Sequence, residues 1–348
     1  MLVSILLLIV GLALLVGGGE LLVRGAVRLA DRLGVSPLIV SIVIIGFGTS
    51  APELAASIEA SRIGAPGIAW GNVIGSNLAN SLLILGATAT VGRLAVTRGP
   101  LWRDGGVVIV ATFMLWMLAM DGNIGRLWGV AMLALLIGYL SYAVIQEKRS
   151  GGVTAAGDFG IANAEILGVD EEPGEALDDA VEIAARPEAS GILGLYYRYP
   201  VPSSLVILLI GLGLILGGGS MLVEQAVVIA GAFGLSETLI GITVIAMGTS
   251  APELVTSLVA ALRNQGEIAV GNVMGSNIYN ILGIGGTVAV LSPKGFPDNL
   301  VMPDLPILMM SAIIMMLCAA SHYSIYRREG VLLLLCYLSY IGWKVATI

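Results

Sequence analysis

Residues 48–54 and 248–254 are the same heptapeptide, Gly-Thr-Ser-Ala-Pro-Glu-Leu, and each copy lies inside an apolar run long enough to cross a bilayer. A second pair follows at the same offset of 200 residues, Gly71-Asn-Val-Ile-Gly-Ser-Asn77 and Gly271-Asn-Val-Met-Gly-Ser-Asn277, with Asn80 and Asn280 just beyond. The chain therefore reads as two copies of one unit, each placing a carboxylate, Glu53 or Glu253, at membrane depth.

With 57% hydrophobic and 12% charged residues, a water-soluble globule is excluded, and the expectation is an all-α polytopic membrane protein. About 20 apolar residues span the hydrocarbon as a helix. On that ruler ten spans are expected, at 2–30, 37–62, 67–92, 103–121, 124–147, 202–230, 237–262, 267–291, 304–321 and 329–347. The runs are continuous rather than short and alternating, which speaks against a β-barrel. The first run lacks a basic leader, and Ser4–Gly19 matches Ser204–Gly219, so it reads as a retained helix rather than a signal peptide. Cys318 and Cys336 fall in predicted spans, where a thiol serves as a small buried hydrophobe, and no disulfide is expected.

Lys and Arg set the orientation. With the N-terminus outside, the inner loops and helix ends hold Arg28, Arg32, Arg93, Arg98, Arg103, Lys148, Arg149, Arg263, Arg327 and Arg328. The outer side then keeps Arg62, Arg126, Lys294 and Lys344, and both termini lie outside. Five helices per unit is an odd number, so the second copy enters from the opposite face, giving two inverted repeats that meet at a midplane site. The expected division is a first repeat over 1–147 with its motif at 46–80, a linker over 148–201, and a second repeat over 202–348 with its motif at 246–280. Ten of the 24 acidic residues lie in the linker, so the net charge of −7 describes that cytoplasmic loop and not the membrane part. The loop lacks the alternating oxygens and sharp-turn glycine of an EF-hand, and it reads as a solvated linker with a short helix near 175–186.

The duplicated motif carries the chemistry. Thr49, Glu53 and Ser57 share one helical face, and Pro52 cannot donate to the helix ladder and clashes with the Gly48 carbonyl, so a kink is expected there. Such a break frees carbonyls near Gly46 and Gly48 for a cation, and near Ala246 and Gly248 in the second copy. Asn72, Ser76 and Asn80, then Asn272, Ser276 and Asn280, form a polar stripe on the following helix of each unit. Carboxylate, hydroxyl, amide and carbonyl oxygens are hard ligands that suit calcium and sodium, and thiolates and imidazoles are missing from these segments. One calcium ion neutralises Glu53 and Glu253 together, as do two sodium ions, and that competition is a physical basis for exchange. Gly71-x-x-x-Gly75 and Gly271-x-x-x-Gly275 read as close helix packing, and Asn72 and Asn272 read equally well as interhelical bonds or as ligands. Glu20, Arg24 and Glu224, toward the ends of long helices, are expected to snorkel or pair and hold no ion.

Both copies, with Gly-Thr-Ser-x-Pro-Glu and Gly-Ser-Asn-x-x-Asn in each half, resemble the α-repeats of the calcium/cation antiporter superfamily, specifically prokaryotic sodium/calcium exchangers. The resemblance implies a ten-helix fold in which the second, third, seventh and eighth helices build the site. It makes Glu53 and Glu253 the central calcium ligands, helped by the carbonyls of Thr49 and Thr249. It gives Ser50, Ser76, Ser250, Ser276 and the carbonyls of Gly46 and Ala246 to sodium, with Asn80 and Asn280 completing the site. It also implies that the first and sixth helices slide as a pair, with Gly17–Gly19 and Gly217–Gly219 as the smooth surface. Potassium-dependent members carry Asp where this chain has Asn280, so the two asparagines point to potassium independence.

The sequence thus predicts a sodium/calcium antiporter of a prokaryotic inner membrane, with calcium and sodium as transported ions and lipid as its surroundings. No cofactor, nucleic acid or obligatory protein partner is expected, nor an enzyme activity. A proton/calcium antiporter is the alternative, because protons neutralise the same glutamates; a channel is a further one, and a serine hydrolase at Ser50 or Ser250 lacks a His or Lys base in these helices. Glu53→Gln and Glu253→Gln are each expected to abolish calcium exchange in vesicles. Calcium transport surviving in either variant contradicts the assignment.

Overall fold

The computed structural model describes residues 2–120, 122, 124–149, 200–232, 249–293 and 296–347. Residues 150–199 of the expected 148–201 linker, with the short helix expected there, and the segment holding Ala246 and Gly248 lie outside the described residues. In chain order the helices are α1 (Leu2–Leu33), α2 (Pro37–Val40), α3 (Gly46–Thr49), α4 (Ala51–Arg62), α5 (Pro66–Leu78), α6 (Leu85–Val91), α7 (Arg98–Met120) and α8 (Arg126–Arg149). The second half adds α9 (Pro200–Ala232), α10 (Ala251–Leu262), α11 (Gly266–Ile278), α12 (Gly285–Leu291), α13 (Asp298–Val301), α14 (Asp304–His322) and α15 (Arg327–Thr347). Two two-residue strands, β1 (Leu94–Ala95) and β2 (Ser324–Ile325), pair antiparallel and join the loop after α6 to the loop after α14.

Seven described helices or helix runs are long and apolar enough to cross a membrane, and the bent pair α2–α3 with α4 makes an eighth. Two runs lie at the centre: 78% of the apolar window of Pro66–Val91 and 83% of that of Gly266–Leu291 are buried inside the protein, against 28% for α1 and for α9. Each central run contains a π-helical turn, Ala79–Ile84 or Tyr279–Ile284, and a third π turn, Ser41–Ile45, separates α2 from α3. A π turn inserts a residue into the helix ladder and re-aims the side chains around it, which is why such turns collect at functional sites.

The outer pair, α1 and α9, is joined by a seam of small residues. Ser4, Gly11, Gly18 and Gly25 recur every seven positions in α1, as do Ser204, Gly211 and Gly218 in α9. The contacts run antiparallel: a Cβ on Gly11 would lie 3.0 Å from the Gly218 carbonyl oxygen, and one on Gly18 would lie 2.9 Å from that of Gly211. Backbones that approach this closely exclude any side chain between them. Contact with the remaining helices is narrower. Gly19 faces Val255 and Val259 of α10, Gly219 faces the Pro252 ring, and Leu212 of α9 sits over Gly48. Glu20, expected to snorkel or pair, bridges within α1 to Arg24 and across to Arg263 after α10, at 2.5 and 2.6 Å.

Gly17 and Gly217 meet no atom within 4 Å of a built Cβ, so the expected smooth glycine surface is divided among three environments. Gly18 serves the seam and Gly19 meets α10, because successive helical positions point about 100° apart. Gly211→Ala would place a Cβ 2.4 Å from the Leu22 amide nitrogen and is expected to cost about 1–3 kcal/mol, seen as a lower melting temperature in detergent. Gly17→Ala is expected to leave it unchanged or to raise it by the helix preference of alanine, up to about 1 kcal/mol.

Candidate cation site

Pro52 breaks its helix as the sequence predicts. The α2–α3 run and α4 meet at 42°, and the break residue Ser50 has φ −80° and ψ 5°. Ser250, with φ −91° and ψ 7°, begins α10 in the same way, while the residues before Thr249 lie outside the described ones. Glu53 and Glu253 consequently stand in the first turn of a helix, where unpaired amides and the positive end of the helix dipole favour negative charge. One expectation is corrected. The Gly46 carbonyl is not freed by the break, because the Ser50 amide still makes the ordinary helical bond to it, four residues on, at 3.2 Å. That carbonyl retains one lone pair for a further partner. The residue four positions after Gly48 is Pro52, which has no N–H to give the Gly48 carbonyl.

The two motifs interlock across the halves of the chain. Ser50 Oγ donates to Glu253 Oε1 at 3.3 Å, and Ser250 Oγ donates to Glu53 Oε1 at 3.2 Å. Both carboxylates are 1% exposed, and 200 residues of chain separate two groups that share one cluster. The stripe on the central helices joins them. Asn280 Nδ2 donates to Ser76 Oγ at 3.0 Å, and Ser76 Oγ donates to the Asn72 carbonyl at 2.7 Å. The mirrored pair, Asn80 and Ser276, makes no such bond. Thr249 also has a partner within the protein.

Satisfaction of polar atoms marks the site. Eleven buried side-chain N and O atoms among the described residues lack a protein hydrogen-bond partner, and eight belong to the two motifs: Glu53 Oε2, Glu253 Oε2, both polar atoms of Asn80, Ser276 Oγ, and the Oδ1 atoms of Asn280, Asn77 and Asn277. Buried acceptors without donors are costly unless something else pairs with them, and a cation does so for a cluster rich in oxygen. No group of three or more His, Cys, Asp or Glu residues is gathered among the described residues, so neutral oxygens must complete any cation shell around the two carboxylates. That donor set fits calcium and sodium as transported ions.

Asn72 and Asn272 act as braces. Asn72 Nδ2 donates to the Glu53 carbonyl at 3.0 Å and to Ser57 Oγ at 2.9 Å; Asn272 Nδ2 repeats this with Glu253 and Ser257 at 3.2 and 3.1 Å. The packing reading of the glycine pairs holds for the second and fails for the first, since a Cβ on Gly71 or Gly75 would meet no atom within 4 Å. A Cβ on Gly271 would lie 3.1 Å from the Leu38 carbonyl oxygen, and one on Gly275 would lie 2.9 Å from the Ile42 Cα.

Sequence reasoning passed over a second duplicated acid. Asp104 accepts from Arg103 at 2.5 and 2.9 Å and from Tyr139 at 2.8 Å; Asp304 accepts from Tyr340 at 2.9 Å and Lys344 at 2.7 Å. Both are buried and stand 200 positions apart, so the repeat offset alone was a signal that could have found them. Each is fully paired, ties α7 to α8 or α14 to α15, and belongs to the scaffold. Cys318 and Cys336 are free thiols.

The family profile described as sodium/calcium exchanger protein matches residues 3–145 and 203–346. The chain is 30% identical over 346 residues to the sodium/calcium exchanger MaX1 of Methanosarcina acetivorans, covering 97% of each chain. It is 31% identical over 334 residues to the inner membrane protein YrbG of Escherichia coli, covering 96% of this chain and 94% of the other. Among solved structures, the sodium-calcium exchanger NCX_Mj soaked with sodium and calcium superposes with a TM-score of 0.77 at 29% identity, covering 98% of both chains. The chain belongs to the sodium/calcium exchanger family.

Proposed function

We propose that this exchanger couples calcium to sodium by alternating access at the site that Glu53 and Glu253 share. The observation that carries the reading is the reciprocal pair of bonds, Ser50 to Glu253 and Ser250 to Glu53, which puts both carboxylates and their unpaired oxygens into one cluster. Two negative charges among neutral hard oxygens match one divalent or two monovalent cations. Binding of one kind therefore displaces the other, and the site passes across charge-balanced in either case. The carbonyls of Thr49 and Thr249 would assist calcium. Ser50, Ser76, Ser250, Ser276 and the carbonyls of Gly46 and Ala246 would serve sodium, with Asn80 and Asn280 beside them. The Gly46 carbonyl fits that role through its second lone pair.

The wider reading is a ten-helix fold of two inverted repeats, 1–147 and 202–348, in an inner membrane, with both termini outside and the 148–201 loop cytoplasmic. Its support is the antiparallel α1–α9 pair, bound to itself by close backbone contact and to the rest through a few side chains. Such a pair can shift as one body against a fixed centre. The Glu20–Arg263 bridge spans the two bodies and has to re-form or break as they move. With Asn at both 80 and 280 no third carboxylate is present for potassium in these motifs.

Purified protein in vesicles should take up calcium in response to an imposed sodium gradient, with no requirement for potassium. A pH gradient alone should drive none. Calcium movement that follows the pH gradient and ignores sodium would transfer the coupling to protons, and conductive calcium flux without any counter-ion would replace exchange by a channel.

A further inference from the structure

Asn272 belongs to a closed ring that spans both halves of the chain. Thr49 Oγ1 donates to Asn272 Oδ1 at 3.3 Å; Asn272 Nδ2 donates to the Glu253 carbonyl at 3.2 Å. Ser50 Oγ then donates to Glu253 Oε1 at 3.3 Å, and Ser50 follows Thr49 in the chain, which closes the ring. The same Nδ2 also holds Ser257 Oγ at 3.1 Å, one turn further along α10. Asn272 and Thr49 are both 0% exposed, so no water relaxes the circuit from outside. On the opposite wall Asn72 makes the corresponding grip on Glu53 and Ser57.

We infer that Asn272, joined by Thr49 Oγ1, is the residue that fixes the width of the cation site and thereby sets which cation radius it accepts. The inference rests on the proposed cation site and adds to it a specificity determinant that need not touch the ion. The physical reason lies in how the two breaks are held. Each ligand-bearing segment starts a new helix at Ser50 or Ser250, so nothing within one repeat fixes its distance from the other. To the side-chain bonds between the breaks Asn272 adds a tie to the main chain, because it grips the Glu253 carbonyl with its donor while its acceptor holds the residue beside Ser50. Calcium–oxygen distances run about 2.3–2.6 Å, and a site of hard oxygens discriminates by how rigidly it keeps that spacing. A cavity whose walls are pinned rejects a larger alkaline-earth ion of the same charge, whereas a compliant one adjusts to it. Asn272 is accordingly a positioning residue, and its mark is selectivity rather than affinity alone.

The test is titration of calcium and of barium into the purified full chain, comparing wild type with Asn272→Ala, Thr49→Val and Thr49→Ser. Thr49→Val keeps the main-chain carbonyl and removes only the hydroxyl donor; Thr49→Ser restores that donor. The barium-to-calcium ratio of dissociation constants should fall about fivefold in Asn272→Ala and in Thr49→Val, and return toward wild type in Thr49→Ser. Should Asn272→Ala fail to fold, Thr49→Val carries the comparison alone. Equal weakening of both ions, with the ratio unchanged, would reduce Asn272 to a structural bond and overturn the inference. A wild-type chain that binds neither ion would instead remove the proposed site itself, and a wild-type chain that binds calcium without excluding barium would remove the specificity role while leaving the site.

Discussion

A carboxylate at the centre of a membrane helix costs about 2.5–3.5 kcal/mol on insertion scales, and this chain buries two of them in one cluster. Placed together they also repel, so the arrangement is tolerable only if the surroundings supply positive potential or an ion of opposite charge. The fold answers in part. Each acid lies in the first turn of a helix, at the positive end of its dipole, and each accepts one hydroxyl bond from the opposite repeat. These neutral donors offset part of the cost and leave a second oxygen of each carboxylate without a partner. At the proposed site a transported cation would complete the balance.

Much of the remaining architecture serves to hold those two helix starts face to face. The central runs, Pro66–Val91 and Gly266–Leu291, are the most buried in the protein, and their asparagines and serines bridge between halves. Close packing is secured by glycine where backbones touch, as Gly271 and Gly275 do against Leu38 and Ile42. At the periphery, Asp104 with Arg103 and Tyr139, and Asp304 with Tyr340 and Lys344, hold neighbouring helices through paired charges. A rigid centre is what the proposed movement of the outer helix pair would require if the proposed ligands are to stay in place.

Some of this was legible in the sequence because it depends on local chemistry. The break at Pro52 follows from a missing N–H and a ring clash, and the membrane setting follows from apolar run length. The two acids identified themselves by repetition. Other features depend on tertiary contact and left weaker traces. The role of Asn72 and Asn272 was undecided between ligand and bond, since an amide serves either purpose until its neighbours are known; the structure shows its Nδ2 spent on bonds. The Gly46 carbonyl seemed free because the break was expected to undo more of the ladder than the one bond Pro52 cannot make, whereas the Ser50 amide still meets it in ordinary helical register. The seven-residue seam of α1 and α9 was visible as spacing but hidden beside the louder glycine triplets. The π turns have no local signature in residues 79–84 or 279–284 that propensity would reveal.

The central claim is that Glu53 and Glu253 form one site and not two. Calorimetric titration of calcium into the purified chain, repeated with Glu53→Gln and with Glu253→Gln, decides it most directly. One calcium per chain in wild type, displaced by sodium and absent from both variants, is the predicted result. Two calcium ions per chain, with one retained in each variant, would contradict it.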